Sequence, residues 1–253
     1  MRVLVAIPVF NEQRYISRVL TQVLRLTDEV LVVDDGSTDE TPTILRENPR
    51  VRVIRHEENL GYGRSLMDAF EYAGRERYDW VITMDCDDQH EPARIPAFIE
   101  RAERNDVDIV SGTRYLTTIP GNTGAPEERR RINKTITRMI NDALGLSLTD
   151  SFCGFKAHRI SALEQLSLTE TGYAFPLQFW VQVVRRGLRV CELPVRLIYN
   201  DPSRHFGGQL DDPASRLRHY TDVFTSELRR ADGSACGISD AGCGVAPDYG
   251  DGR

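Results

Sequence analysis

The chain of 253 residues is 40% hydrophobic and 28% charged, the balance of a soluble globular protein with room for one sizeable domain. Its net charge of −6 at pH 7 argues against a general nucleic-acid binder, and no apolar run approaches the roughly eighteen residues of a membrane span. Five scattered cysteines, with neither a C-x-x-C pair nor zinc-like spacing, indicate a reducing, cytoplasmic compartment.

The first apolar run, residues 3–7, is too short for a signal peptide and has the aliphatic, β-branched texture of a buried strand. A loop, Pro8-Val9-Phe10-Asn11-Glu12, follows it; Tyr15, Ile16, Val19, Leu20, Val23 and Leu24 then recur at helical spacing. Residues 29–33 read as a second strand, stopped by Asp34-Asp35-Gly36-Ser37-Thr38-Asp39. Ser37 or Thr38 can cap the next helix, with Glu40 in its first turn. Strand signals return at 51–55, 79–83 and 108–110, with a helix near 65–73 and another after Pro92. Strands alternating with helices predict an α/β fold with a mostly parallel sheet flanked by helices. Ligands bind such sheets beyond the carboxyl ends of the strands, so loops 8–12, 34–39 and 85–91 should open on one edge.

Beyond Tyr115 the texture changes. Residues 117–126 carry Pro120, Gly121, Gly124 and Pro126, the composition of a mobile loop. Glu127-Glu128-Arg129-Arg130-Arg131 opens a helix whose apolar face is Ile132, Ile136, Met139, Ile140 and Leu144, ended by Gly145. A polar turn, Asp150-Ser151-Phe152-Cys153-Gly154-Phe155-Lys156, leads to a short strand. A helix at 175–186, one or two strands within 189–199 and a last amphipathic helix at 213–228 complete the domain, which spans 1–230. Residues 231–253 are rich in Gly, Ala, Ser and Asp with almost no apolar content, the signature of a disordered tail.

The chemistry concentrates at Asp85-Cys86-Asp87-Asp88-Gln89, directly after the fourth strand. Carboxylates this close resist joint ionisation unless a cation compensates them, and with the Gln89 amide they are hard oxygen ligands suited to Mg²⁺ or Mn²⁺. A D-x-D taken alone is equally the mark of a solvated acidic loop, and Asp34-Asp35-Gly36-Ser37 alone is equally a strand-to-helix turn. No G-x-G-x-x-G follows the first strand, which disfavours a dinucleotide-dependent oxidoreductase.

Ile7-Pro8-Val9-Phe10-Asn11-Glu12, Val32-Val33-Asp34-Asp35-Gly36-Ser37, Asn59-Leu60-Gly61 and Met84-Asp85-Cys86-Asp87 resemble, in order and spacing, the family 2 glycosyltransferases of the GT-A fold. Val110-Ser111-Gly112-Thr113-Arg114-Tyr115 and Asp150-Ser151-Phe152-Cys153-Gly154-Phe155 resemble the dolichol- or polyprenyl-phosphate sugar transferases within it. The resemblance implies a nucleotide-sugar-binding half at 1–115 and an acceptor half at 116–230. It implies that Pro8, Phe10, Glu12 and Asp34 or Asp35 hold the nucleotide, with Asp85 and Cys86 beside them. It makes Asp87 the chief metal ligand, joined by Gln89 and shared with Asp85; Asp88 stands where leucine is common, and its role is open. Arg114 and a basic residue of Ser203-Arg204-His205-Phe206-Gly207-Gly208 are implied on phosphates, with Arg204 and His205 competing for the second place. Of the run at 129–131, Arg131 lies nearest the apolar part of its helix and is the candidate to bind.

The implied reaction is inverting transfer of a hexose from GDP or UDP to a polyprenyl-phosphate acceptor, with Mg²⁺ or Mn²⁺ stabilising the leaving diphosphate. A hydroxyl acceptor would need a general base, whereas a phosphate is already anionic. Gln178 stands where many family members carry an acid, which favours the phosphate. Asp150 is the residue that could serve as a base, and ordering the turn after it is its alternative role. A hydroxyl acceptor on a glycan or glycoside, and nucleotide-sugar binding without turnover, are the competing readings. A lipid acceptor would be met peripherally, at the inner face of a membrane, through 117–131.

Overall fold

The computed structural model describes residues 1–117, 119, 122–199 and 208–232. Seven strands, β1 (Val3–Val9), β2 (Val30–Asp34), β3 (Arg52–Arg55), β4 (Trp80–Thr83), β5 (Ile109–Thr113), β6 (Lys156–Arg159) and β7 (Val190–Pro194), form one sheet in the order β3-β2-β1-β4-β6-β5-β7. All neighbours are parallel except β6, which runs antiparallel to both β4 and β5. Helices α1 (Ile16–Val23), α2 (Thr41–Arg46), α3 (Tyr62–Arg75), α4 (Ile95–Glu103), α5 (Glu127–Leu144), α6 (Ile160–Leu163), α7 (Phe175–Arg185) and α8 (Pro213–Asp232) cover its faces.

The two faces explain the unbroken apolar runs. Along β1, Leu4 and Ala6 join a core that includes Phe70, Ile136, Phe179 and Phe224, under α3, α5, α7 and α8. Val5, Ile7 and Val9 point the other way, to Ile16, Leu20, Leu45 and Phe98 of α1, α2 and α4. A strand buried on both sides has no polar alternation to show. Each such side chain removed from water contributes about 1.5–3 kcal/mol, which holds the helices down on both sides of the sheet.

The antiparallel strand matters most for function. Lys156 at the start of β6 pairs with Thr83 and Ser111, near the carboxyl ends of β4 and β5. The turn before it therefore arrives on the same edge as the loops leaving the parallel strands. Three carbonyls pin that turn: Lys156 Nζ donates to Cys153 O, Thr83 Oγ1 to Gly154 O (2.8 Å) and the Gly112 N–H to Phe155 O (2.8 Å).

Local details depart from the sequence reading. The helix after β2 starts only at Thr41, so neither Ser37 nor Thr38 caps it; Asp39 Oδ1 accepts the Thr41 N–H at 2.9 Å. Ser37 and Thr38 instead stitch two loops together: Asn11 N–H donates to Ser37 Oγ, and Thr38 N–H to Asn11 Oδ1. Within 189–199 there is one strand, β7, which agrees with the expected one or two. The last helix continues to Asp232, past the point where the tail was expected, and the rest of that tail, 233–253, lies outside the described residues. Among the described residues no helix is long and apolar enough to cross a membrane.

Candidate active site

Loops after β1, β2 and β4 meet in a cavity of about 750 Å³ at the carboxyl edge of the sheet, within the size range of small-molecule sites. Pro8 reaches it from the end of β1, Phe10 and Glu12 from the first loop, Asp35 from the second, and Asp85, Cys86, Asp87 and Gln89 from the third. Arg114 and Tyr115, just beyond β5, extend the wall. The remaining lining is more apolar, with Ile132 of α5, Phe152, Pro176, Leu197, Leu210 and Tyr220 of α8.

The adjacent pair Asp34 and Asp35 divides its labour. Asp34 is fully buried, accepts the Ser37 N–H at 3.0 Å and takes no part in the cavity wall. Asp35 does line the cavity, and its carboxylate is held by the N–H groups of Leu60 (2.8 Å) and Gly61 (2.9 Å) and by His56 Nδ1 (2.7 Å). The other ring nitrogen of His56 lies 2.8 Å from Asp68 Oδ2, so α3 braces this arrangement. Phe10 leaves 44% of its surface exposed, a flat apolar platform at the rim.

Asp85, Asp87 and Gln89 lie on one wall. Tyr62 donates its hydroxyl to Asp85 Oδ1 (3.0 Å), the Asp85 N–H donates to His90 Nδ1 (2.9 Å), and the Gln89 N–H donates to Asp87 Oδ1 (3.0 Å). His90 is buried, and that burial lowers its pKa against the opposing pull of Asp85, so it stays neutral and its Nδ1 is an acceptor. No group of three or more His, Cys, Asp or Glu among the described residues is placed to hold a metal alone. Two carboxylates and an amide oxygen nonetheless fit Mg²⁺ or Mn²⁺ held jointly with phosphate, since such ions keep much of their shell for water and phosphate oxygens. Asp88 is not in the cavity wall. It adopts a left-handed backbone (φ 62°) and pairs with Arg18 of α1, which accounts for the one acid of the stretch without an assigned role.

Asp150 has no exposed surface and grips Arg114 in a two-pronged ion pair, Nε to Oδ2 at 2.6 Å and Nη2 to Oδ1 at 2.9 Å. Asn133 Nδ2 and the Phe152 N–H donate to the same carboxylate. Burial would raise its pKa, but the guanidinium and these donors outweigh burial and lower it, so Asp150 is an ionised anchor rather than a proton acceptor. The expected base role has no geometric support: Asp150 does not line the cavity, whereas Arg114, which it aims, does.

Three other sequence expectations shift. Arg131 is exposed and outside the cavity wall; Arg129, two residues earlier, lines it. Gln178 is buried, receiving the N–H groups of Thr169 and Glu170 and donating to Glu227, so it faces α8 and not an acceptor. Arg204 and His205 lie outside the described residues. Sequence reasoning missed Tyr62, Tyr173, Asn133, Arg216 and His219, all of which line the cavity. For Arg216 a signal existed: it is buried, and it shares one stripe of α8 with Tyr220, Phe224 and Glu227, at intervals of four, four and three.

A doubly covered, mostly parallel sheet with an acidic loop at its carboxyl edge is the GT-A glycosyltransferase fold. The chain matches Glycosyl transferase family 2 over residues 4–167 and belongs to that family. It is 31% identical over 209 residues to an undecaprenyl-phosphate mannosyltransferase of Micrococcus luteus, covering 78% of this chain and 84% of that one. It is 29% identical over 206 residues to a polyprenol monophosphomannose synthase of Mycolicibacterium smegmatis, covering 77% and 76%. Among solved structures it resembles glucosyl-3-phosphoglycerate synthase of Mycobacterium tuberculosis in complex with uridine diphosphate, with TM-score 0.69 and 19% identity over 90% of this chain and 80% of that one. That likeness extends to the fold.

Proposed function

We infer that this glycosyltransferase moves a hexose from a nucleoside-diphosphate sugar to a polyprenyl-phosphate-type acceptor, with inversion at the anomeric carbon. The observation that carries the reading is one cavity lined by two unlike sets of groups: Asp35, Asp85, Asp87 and Gln89 from the loops after β2 and β4, and cationic and apolar groups from α5, α8 and the segments between them. The first set suits a nucleotide and its cation. Phe10 offers a face to the base, Asp35 accepts hydrogen bonds from sugar or base, and Asp85, Asp87 and Gln89 would hold Mg²⁺ or Mn²⁺. When bound, the ion supplies positive charge to the departing diphosphate. Arg114, fixed in direction by Asp150, sets a permanent cation beside the same phosphates.

The second set suits an anionic head on an apolar chain. Arg129 and His219 supply the charge or donors, Arg216 is held by Glu128 and the Leu210 carbonyl, and Ile132, Phe152, Leu197 and Leu210 supply apolar wall. A phosphate acceptor attacks through an oxygen that is already ionised, so it places no demand on Asp150 or Gln178, both of which are committed to other partners. A long-chain acceptor of this kind would be reached from a membrane surface, through the cavity mouth near the start of α5. The relatives' names supply the choice of mannose as the first sugar to test.

The test is to offer labelled GDP-mannose and UDP-glucose with undecaprenyl phosphate in detergent, with Mg²⁺ or Mn²⁺ and then with excess chelator. Label extracted with the lipid, and lost on chelation, is the expected result. Transfer only to soluble sugars would overturn the acceptor, and donor bound for hours without consumption would overturn the enzyme. Within that assay Arg129→Ala should raise the KM for the lipid phosphate about tenfold, the cost of one charge-assisted hydrogen bond. Arg131→Ala should leave it close to wild type; the reverse order would reassign the acceptor site.

A further inference from the structure

Asp85 is held far more closely than a solvent-exposed carboxylate in a loop needs to be. Tyr62 donates to its Oδ1 at 3.0 Å, and His90 takes its N–H while its own Nε2 stands 3.7 Å from Oδ2. Beneath it lies Gly154, where an added Cβ would sit 2.6 Å and 2.8 Å from the two carboxylate oxygens and 2.8 Å from the Tyr62 hydroxyl. The pinned carbonyls of Cys153, Gly154 and Phe155 keep that floor from yielding.

Tyr62 is itself fixed. It is the first residue of α3, preceded by Gly61 at φ +105°, where a Cβ would come within 2.3 Å of Thr171 O. The Arg64 N–H donates to that same carbonyl at 3.1 Å, and the Tyr62 ring stacks on Tyr173 with centroids 5.8 Å apart and planes 15° apart. Helix start, facing loop and stacked ring all specify one hydroxyl position.

We propose that Tyr62 is a positioning residue, whose hydroxyl sets the plane of the Asp85 carboxylate toward the divalent cation and diphosphate. The inference rests on the donor-site reading given above. A carboxylate oxygen can only accept here, so the Tyr62 hydroxyl is the donor of this bond. A group supporting a metal ligand in this way typically changes metal affinity by about 10–100-fold when removed. Its loss should leave stability nearly unchanged, because the Asp85 side chain is 32% exposed and water can replace the phenol.

The experiment is Mn²⁺ titration of the full chain by electron paramagnetic resonance, with GDP and with UDP present, alongside thermal melting. Tyr62→Phe should weaken Mn²⁺ uptake about tenfold with an unmoved melting midpoint, and saturating Mn²⁺ should restore turnover. Gly154→Ala should also weaken uptake, by pushing the carboxylate aside. The double variant should lose less than both single losses combined, since removing the hydroxyl opens room for the methyl. Unchanged Mn²⁺ affinity in Tyr62→Phe overturns the role, as does a melting midpoint that collapses together with binding. If the wild-type chain takes up no Mn²⁺ with either nucleotide, the donor-site reading falls and this inference falls with it.

Discussion

Replacing Asp87 with asparagine is expected to abolish metal-dependent sugar transfer without lowering thermal stability. Asp87 sits on the cavity wall beyond the end of β4, and its Oδ1 accepts the Gln89 N–H at 3.0 Å, a bond the asparagine oxygen can keep. In the absence of a cation the neighbouring carboxylates repel one another, and deleting one charge relieves that repulsion. With nucleotide and cation present the sign reverses: the variant lacks an anionic ligand exactly where charge must be offset. A loss of at least about 10²-fold in rate follows from the cost of removing an electrostatic group aimed at developing charge. Melting curves separate the two effects. Mn²⁺ with nucleoside diphosphate should raise the wild-type midpoint, because a ligand of the folded state stabilises it, and should leave Asp87→Asn unmoved. Full activity in the variant, or wild-type activity surviving excess chelator, would falsify the metal assignment.

The contrast between what could and could not be read from the chain has physical causes. The strands were legible because parallel strands covered on both faces must be apolar throughout, as β1 and β2 are. The convergence of the three loops followed from strand direction alone. The direction of β6 was not legible, since Lys156–Arg159 pairs with strands more than forty residues away and nothing local distinguishes parallel from antiparallel partners. Asp34 and Asp35 illustrate a period of two: one must turn inward and the other out, and only the sheet decides which. In the arginine run, proximity in sequence points to Arg131, whereas the residue that lines the cavity is Arg129. Arg131 adjoins Ile132, but a step of one residue is 100° of rotation, whereas Arg129 lies on the stripe of Asn133, Ile136 and Ile140. That stripe was present in the sequence, and following its spacing selects Arg129. Asp88 could not be placed without the structure, because its left-handed backbone and its pairing with Arg18 depend on how α1 packs beside the loop.

The second large effect concerns the buried pair that aims Arg114. Arg114→Met should destabilise the protein by about 3–5 kcal/mol at neutral pH, the usual cost of stranding one partner of a buried ion pair. The Asp150 carboxylate would keep Asn133 and the Phe152 N–H but lose its cation, and with no exposed surface it has no water to fall back on. The pH dependence tests the cause. In the wild type the folded-state pKa of Asp150 is lowered, so its contribution to stability is fully present above the unfolded carboxylate value and is lost as pH falls through the folded one. In Arg114→Met burial acts without the guanidinium, and the carboxyl is protonated more readily. The unfolded chains titrate alike, so the stability gap between the two proteins should be widest near neutrality. It should start to narrow as pH falls through the variant's folded-state carboxyl pKa, and go on narrowing down to the lowered wild-type one. A double variant, Arg114→Met with Asp150→Asn, removes both charges while the side-chain Oδ1 can still accept from Asn133 and the Phe152 N–H, and should regain part of the lost stability. Its activity should stay low, because the cavity has lost the Arg114 cation proposed above to face the phosphates. Chemical denaturation of the three variants across pH, with the transfer assay run beside it, gives the measurement. A double variant no more stable than Arg114→Met would mean that the guanidinium contributes packing at this position, and a double variant with wild-type turnover would remove Arg114 from the transfer machinery altogether.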